Sequence, residues 1–356
     1  MSTQLDLFRA TMAHQPHDEF LYYAHYTPDL LERMKAHLGA ADEREISEKL
    51  GMYQPVGVGL TPPSGYKAPD FSRYFEGFDR PANAFINGLG VLEIPGSSYH
   101  FTHYVSPLRN ASSIDEIRDF PYPTSSGWVD QGMAQAVKSA HEQGLVTMSW
   151  VGHMYEDSWQ IRGYEEFLMD MIAAPEIPEY ILDRVYERNL ANAIAAARAG
   201  VDILQTGDDV ASQRALMFQK DQWVRFMKSR WSRVYAAARA IKPDIQIWYH
   251  SDGNIEEIIP DLIEIGVTIL NPVQPECVDP VKLKREYGKH LVFDGVVGTQ
   301  TTMPFGTPDD VREAVRMWKR ELGGDGALIL APTHVLEPEV PIENIMAFVE
   351  TARMKQ

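Results

Sequence analysis

Residues 245–277 read IQIWYHSDGNIEEIIPDLIEIGVTILNPVQPEC. The first six are an apolar, β-branched and aromatic run, which predicts a strand over 245–250. The Ser-Asp-Gly-Asn cluster is a turn. Ile255 to Ile265 carries apolar residues at helical spacing and stops at Gly266. VTILN (267–271) is again a strand. Strand, helix and strand in this order form a parallel pair with a right-handed crossover.

Working outward, the same unit recurs. GLVTMSWVG (144–152), VDILQTG (201–207), HLVFDGVVG (290–298) and GALILAP (326–332) read as strands. Helices are expected around Tyr164–Met171 and over Pro178–Arg198, Asp221–Ile241, Pro280–Tyr287, Pro308–Leu322 and Pro341–Met354. That makes about six units after residue 140. Residues 1–130 are rich in Pro, Gly and aromatic residues and weakly periodic, with one short helix from Thr27 to Leu38 and loops such as GLTPPSGYKAPDF (59–71). The reading is an α/β fold, a (β/α)8 TIM barrel, as a single domain over 1–356 with an irregular N-terminal third. An open doubly wound sheet is the rival, but it usually carries a Gly-rich phosphate turn. Neither GxGxxG nor GxxxxGK[ST] occurs.

Composition narrows the function. With 33 Lys and Arg against 50 Asp and Glu, the formal net charge is −17. Such a surface repels phosphate backbones and anionic membranes, so nucleic acid and membrane are not expected partners. Cys277 is the one cysteine, which excludes an internal disulfide and suits a cytoplasmic location. The opening MSTQLDLFRATMAHQPHDEF has neither the basic start nor the apolar run of a signal peptide.

The strands end in residues able to do chemistry. VTMSWVG runs into His153, Tyr155, Glu156 and Asp157, and VDILQTG into Asp208 and Asp209. IQIWY runs into His250 and Asp252, VTILN into Gln274, Glu276 and Cys277, LVFDGVV into Thr299 and Gln300, and GALILAP into Thr333 and His334. In a barrel these ends share one rim, where active sites lie. The last four strands are expected to carry most of the site. Imidazole, carboxylate and thiolate make His250, Asp252, Cys277 and His334 a candidate set for zinc. Isolated His and Cys residues also serve as packing, so spacing alone leaves this open. Of the acidic pairs, Asp208–Asp209 and Glu156–Asp157 suit general acid-base work or a cationic substrate. Adjacent carboxylates usually point apart, so a structural role, with one of a pair capping a helix, is equally open. Tyr155, Trp159 and Trp248 would shape an apolar pocket, Arg162 would bind a substrate carboxylate, and Gln274 and Gln300 would orient the substrate.

The stretches GVDILQTGDD (200–209), WYHSDGNIEEIIPDLIEIGVTILNPVQPE (248–276), GTPDDV (306–311) and ILAPTHVLEPEVPIENI (329–345) together resemble the uroporphyrinogen decarboxylase superfamily. That superfamily includes corrinoid-linked methyltransferases and is related to cobalamin-independent methionine synthase. The resemblance implies a (β/α)8 barrel and two activities to weigh. The decarboxylases use no cofactor. Their N-terminal Arg-Gln-Ala-Gly-Arg-Tyr stretch is replaced here by LYYAHYTPDL (21–30). Their pyrrole-gathering Asp would fall near GMYQPVGVG (51–59), which has no carboxylate. Tyr155 and His334 match the family's later active-site Tyr and His. The methyltransferases hold zinc through a His-x-Cys after one strand and a Cys after the last, and the methionine synthases add a Glu. By resemblance His250 keeps the His, Asp252 stands at the first Cys, Glu276 or Cys277 lies near the Glu, and His334 stands at the last Cys.

Two enzymatic readings follow. The first is zinc-assisted methyl transfer or demethylation of a small methylated substrate, with a thiol or a corrinoid carried by a partner protein as acceptor. The second is metal-free decarboxylation, in which Asp209 or Asp252 protonates a carbanion. A non-catalytic partner of a corrinoid protein is the third reading. A homodimer is left open as the assembly.

Overall fold

The computed structural model describes residues 3–96 and 102–355. In chain order its strands are β1 (Leu21–Tyr22), β2 (Val56–Gly57), β3 (Phe85–Ile86), β4 (Leu92–Ile94), β5 (His103–Val105), β6 (Thr147–His153), β7 (Ile203–Gly207), β8 (Gln246–His250), β9 (Ile269–Asn271), β10 (Val292–Asp294) and β11 (Leu328–Leu330). Eight form one parallel sheet in the order β1-β11-β10-β9-β8-β7-β6-β2. The Tyr53 N–H donates to the Tyr22 carbonyl at 2.8 Å and ties the β1 end of that sheet to the lead-in of β2. The architecture is the (β/α)8 barrel. The remaining strands, β3, β4 and β5, make a small antiparallel sheet.

All six expected strands after residue 140 form. The first third supplies the other two barrel strands, each two residues long. The expected helix Asp221–Ile241 is continuous from Lys220 to Ile241 but holds a π turn at Val224–Lys228. A π turn offsets the helix faces that follow it. Beyond it Trp231 and Tyr235 share a face, stack at 5.4 Å and are fully buried. Four helices of the N-terminal half, Gln4–Met12, Glu43–Leu50, Ile114–Arg118 and Met133–Glu142, were not expected, nor was Tyr155–Arg162, which starts directly after β6.

The barrel interior is sealed by an apolar layer that includes Ile203, Ile269, Val292 and Ile329. The larger core lies between strands and outer helices. Two glycines are forced by packing. At Gly207 an added Cβ would lie 2.8 Å from the His250 Cβ, so only glycine lets β7 approach β8 there. Gly253 has φ +86°, the left-handed turn that ends the His250–Asp252 segment. Among the described residues, no helix is long and apolar enough to cross a membrane.

Candidate functional site

A cavity of about 1130 Å³ opens at the carboxyl ends of the barrel strands. Trp150 and His153 from β6, Trp248 and His250 from β8, Asn271 from β9 and His334 after β11 line it. Tyr23 and Tyr53, from the irregular N-terminal third, line it as well.

His250 is positioned by its neighbours. Asn271 Nδ2 donates to the Asp294 carbonyl and to the Tyr23 hydroxyl, both at 3.3 Å. Its Oδ1 therefore faces His250 and accepts from Nδ1 at 2.7 Å. That leaves His250 Nε2 with its lone pair 3.7 Å from Asp209 Oδ1. Burial pulls the imidazole pKa down, but the charges of Asp209 and Asp252 and the Asn271 bond outweigh it and raise it overall. Asp252 is held in turn: Gln274 Nε2 donates to its Oδ1 at 3.2 Å, and its backbone N–H donates to Asp209 Oδ1 at 2.8 Å. Burial raises its pKa. His334 Nε2 stands 3.8 Å from Asp252 Oδ2.

Asp209, His250 and Asp252 each place one ligand atom within 4.8 Å of the others. Two atoms bound tetrahedrally to zinc at 2.0–2.1 Å lie about 3.4 Å apart. The 3.7 and 3.8 Å gaps are too long for hydrogen bonds and close to that spacing. An oriented imidazole beside carboxylates is a donor set that suits a divalent metal.

A second cluster adjoins the first. His153 Nδ1 meets Glu156 Oε2 at 2.9 Å, and Glu156 Oε2 also accepts the Asp209 N–H at 3.0 Å. Burial opposes the charge on both. The bond and charge of Glu156, with Asp157 and Asp208, nevertheless push His153 up to about 10, and His153 holds Glu156 below the usual carboxylate range. A histidine raised this far stabilises the fold fully below about pH 6.5. That contribution disappears as pH climbs through about 10. Urea unfolding should therefore show a smaller stability loss between pH 6.5 and 9.5 for His153→Gln than for the parent chain; equal losses would refute the assignment.

Asp208 is fully buried and serves the fold. Its Oδ1 accepts the backbone N–H groups of Met154, Tyr155 and Glu156 at 2.7, 2.6 and 3.2 Å, and Oδ2 accepts Trp231 Nε1 at 2.9 Å. Burial pushes its carboxyl up to about 7 against these four donors, which favour the charged form.

Several expected roles are corrected. Arg162 is buried, with Nε on Asp170 Oδ2 at 2.8 Å and Nη1 on the Leu108 carbonyl at 2.6 Å, so its guanidinium is not offered to a substrate. Arg162→Met should cost about 3–5 kcal/mol in urea unfolding and leave metal content unchanged. Tyr155 lies fully buried against Phe167 and Phe218, away from the cavity lining. Cys277 donates its thiol to Gln274 Oε1 at 3.4 Å and lies outside the metal-capable group. Burial pushes that thiol up, away from the thiolate a metal needs. Gln274 is spent on Gly253 N–H and Asp252, so it orients the protein's own loop. Gln300 is exposed and accepts from Gln213 at 2.8 Å. Glu156 belongs to the His153 cluster, and Trp248 does line the cavity. A rim drawn mainly from the last four strands is too narrow, because Asp209 follows β7 and His153 ends β6. Sequence reasoning gave no role to Asn271, Tyr23 or Asp294; the signal for Asp294 was a carboxylate inside the apolar run LVFDGVV.

The family model for uroporphyrinogen decarboxylase (URO-D) matches residues 151–354. The chain belongs to the URO-D family. Two methylcobamide:CoM methyltransferases (MtaA) of Methanosarcina barkeri are 26% and 24% identical to it over 185 residues, 52% of this chain and 51% of theirs. The chain spans about half the length of the curated relatives it matches. Among solved structures, a methyltransferase from Methanosarcina mazei superposes with a TM-score of 0.65 at 17% identity, covering 99% of this chain and 98% of the other. The URO-D match begins at Val151 and includes every residue of the two acidic-histidine clusters.

Proposed function

We propose that this chain is a methyltransferase that moves a methyl group from a small methylated compound to a thiol or corrinoid acceptor, with zinc at the ends of β7 and β8. The observation carrying the reading is the convergence of Asp209, His250 and Asp252 within 4.8 Å beside a large cavity. The partial likeness to methylcobamide:CoM methyltransferases supports the reaction class.

His250 Nε2, Asp252 and Asp209 would hold the metal, with His334 next to Asp252. Bound zinc supplies Lewis acidity, which lowers the pKa of a thiol or polarises a methyl-bearing oxygen. The chain's own residues do the rest. Asn271 fixes the tautomer of His250, and Gln274 fixes Asp252. His153 holds a positive charge at the cavity wall. Trp150 and Trp248 narrow the cavity around the reacting group.

The test uses protein purified without chelator, its zinc measured by mass spectrometry, with methylcobalamin standing in for the methyl donor and 2-mercaptoethanesulfonate as the thiol acceptor. Close to one equivalent of zinc, and demethylation of methylcobalamin that stops on chelation, are expected. Less than about a tenth of an equivalent, with activity unchanged by chelation, overturns the metal assignment. Carbon dioxide release from uroporphyrinogen by chelated protein overturns the reaction class.

A further inference from the structure

We propose that Asp294, on the cavity floor, recognises a small protonated amine, so that the methylated substrate of this site is an ammonium compound. The substrate class rests on the methyl-transfer reading; the binding of an ammonium ion does not.

Asp294 ends β10, is 2% exposed and lines the cavity. Its Oδ2 accepts Trp248 Nε1 at 2.7 Å and the Tyr23 hydroxyl at 3.1 Å. Its Oδ1 is buried with no hydrogen-bond partner. Among the described residues Asp294 enters no ion pair, and His25 acts on it only through space. Burial pushes the carboxyl up to about 6, so at neutral pH it is ionised. An ionised, half-satisfied carboxylate in a buried wall is costly unless a donor meets the second oxygen.

A second polar atom is left in the same place. The Tyr53 hydroxyl is also buried without a partner, and Tyr53 lines the cavity. The Tyr53 and Tyr23 rings lie 6.4 Å apart, and burial first and Asp294 second raise the pKa of both phenols.

The surroundings select the charge of the occupant. The rings of Tyr23, Tyr53 and Trp248 face the cavity, and Ile203, Ile269 and Ile329 close it below. Aromatic faces attract an organic cation. An N–H of that cation would donate to Asp294 Oδ1, and its methyl groups would pack on the isoleucines. A neutral ether would leave Oδ1 unmet, and the Asp294 carboxylate would repel an anion from this floor position, away from the positive His153 higher on the wall. The floor is coupled to the candidate metal residues. The Trp248 and His250 rings stack at 5.7 Å, and Asn271 bridges His250 to Tyr23. The ammonium end would therefore sit one side-chain layer below His250.

The test titrates the full chain, with and without chelator, by its tryptophan fluorescence at pH 7.5. The probes are trimethylammonium, the neutral tert-butanol, which carries a trimethyl head and an O–H donor without the charge, and tetramethylammonium, which has no N–H. Trimethylammonium should bind at least about tenfold more tightly than tert-butanol and several-fold more tightly than tetramethylammonium. Asp294→Asn should reduce the first preference to within about twofold. Equal binding of trimethylammonium and tert-butanol by the parent chain, or no binding of trimethylammonium at about 50 mM, overturns the proposal. So does a folded Asp294→Asn protein that keeps the preference. The parent-chain comparison decides even where the variant does not fold. The preference should persist after chelation, so failure of the zinc reading leaves a separate result.

Discussion

His250→Ala protein, purified without chelator, is expected to carry less than about a tenth of an equivalent of zinc, against the one equivalent proposed for the parent chain. The size of the loss follows from the geometry. His250 is the nitrogen donor of the three-residue group, and its Nε2 is aimed by the Asn271 bond on Nδ1. Without it, Asp209 and Asp252 remain as two carboxylates joined by the Asp252 N–H, a poor site for a borderline-soft metal. Asn271→Ala keeps the ligand but frees its tautomer and ring orientation, so affinity should fall about 10- to 100-fold. Cys277→Ser should retain the metal, because the thiol is turned to Gln274. A His250→Ala protein that still holds a full equivalent would displace the centre from β8 altogether. A Cys277→Ser protein that loses the metal would restore the thiol to the ligand set.

The contrast between His250 and Asp209 shows what a sequence makes legible. The six later barrel strands are apolar runs with turn residues at both ends, so local pattern finds them. β1 and β2 are two residues long and lie in Pro- and aromatic-rich surroundings, and they hold register only through their barrel neighbours. Local pattern has nothing to read there. His250 and Asp252 were visible because a strand end must face the rim. Asp209 was visible as a carboxylate, but its direction was not. Which member of Asp208–Asp209 joins His250 and Asp252 depends on where Asp208 is taken up, and that is an N-terminus 53 residues earlier in the chain. Asp294 and Asn271 were hidden for a similar reason. Asp294 lies in a run that reads as strand interior and Asn271 closes one, and only closure of the barrel brings either side chain to its partners.

The same long-range cap sets the largest expected loss of stability. Asp208→Ala should lower unfolding free energy by about 3–5 kcal/mol in urea. Loss of an N-cap alone is worth about 0.5–2 kcal/mol. Here the helix Tyr155–Arg162 has no other side-chain cap at its start, and Met154, Tyr155 and Trp231 are fully buried. Water therefore does not replace the lost carboxylate, and three backbone N–H groups and an indole N–H are stranded together. The effects overlap, so the sum falls below four separate penalties. Asp208→Asn keeps one oxygen for the backbone donors and turns an amide N–H₂ toward Trp231, so it should lose about half as much. The cap also reaches the site. Glu156 is the third backbone donor to Asp208, and its side chain accepts from the Asp209 N–H. Loosening this turn shifts Asp209 relative to His250, so zinc retention should fall in Asp208→Ala even where the protein is still folded. A loss under about 1 kcal/mol would mean that water or Glu156 satisfies the helix start. Full zinc retention in a folded, destabilised Asp208→Ala protein would show that Asp209 is held by the metal-side contacts alone.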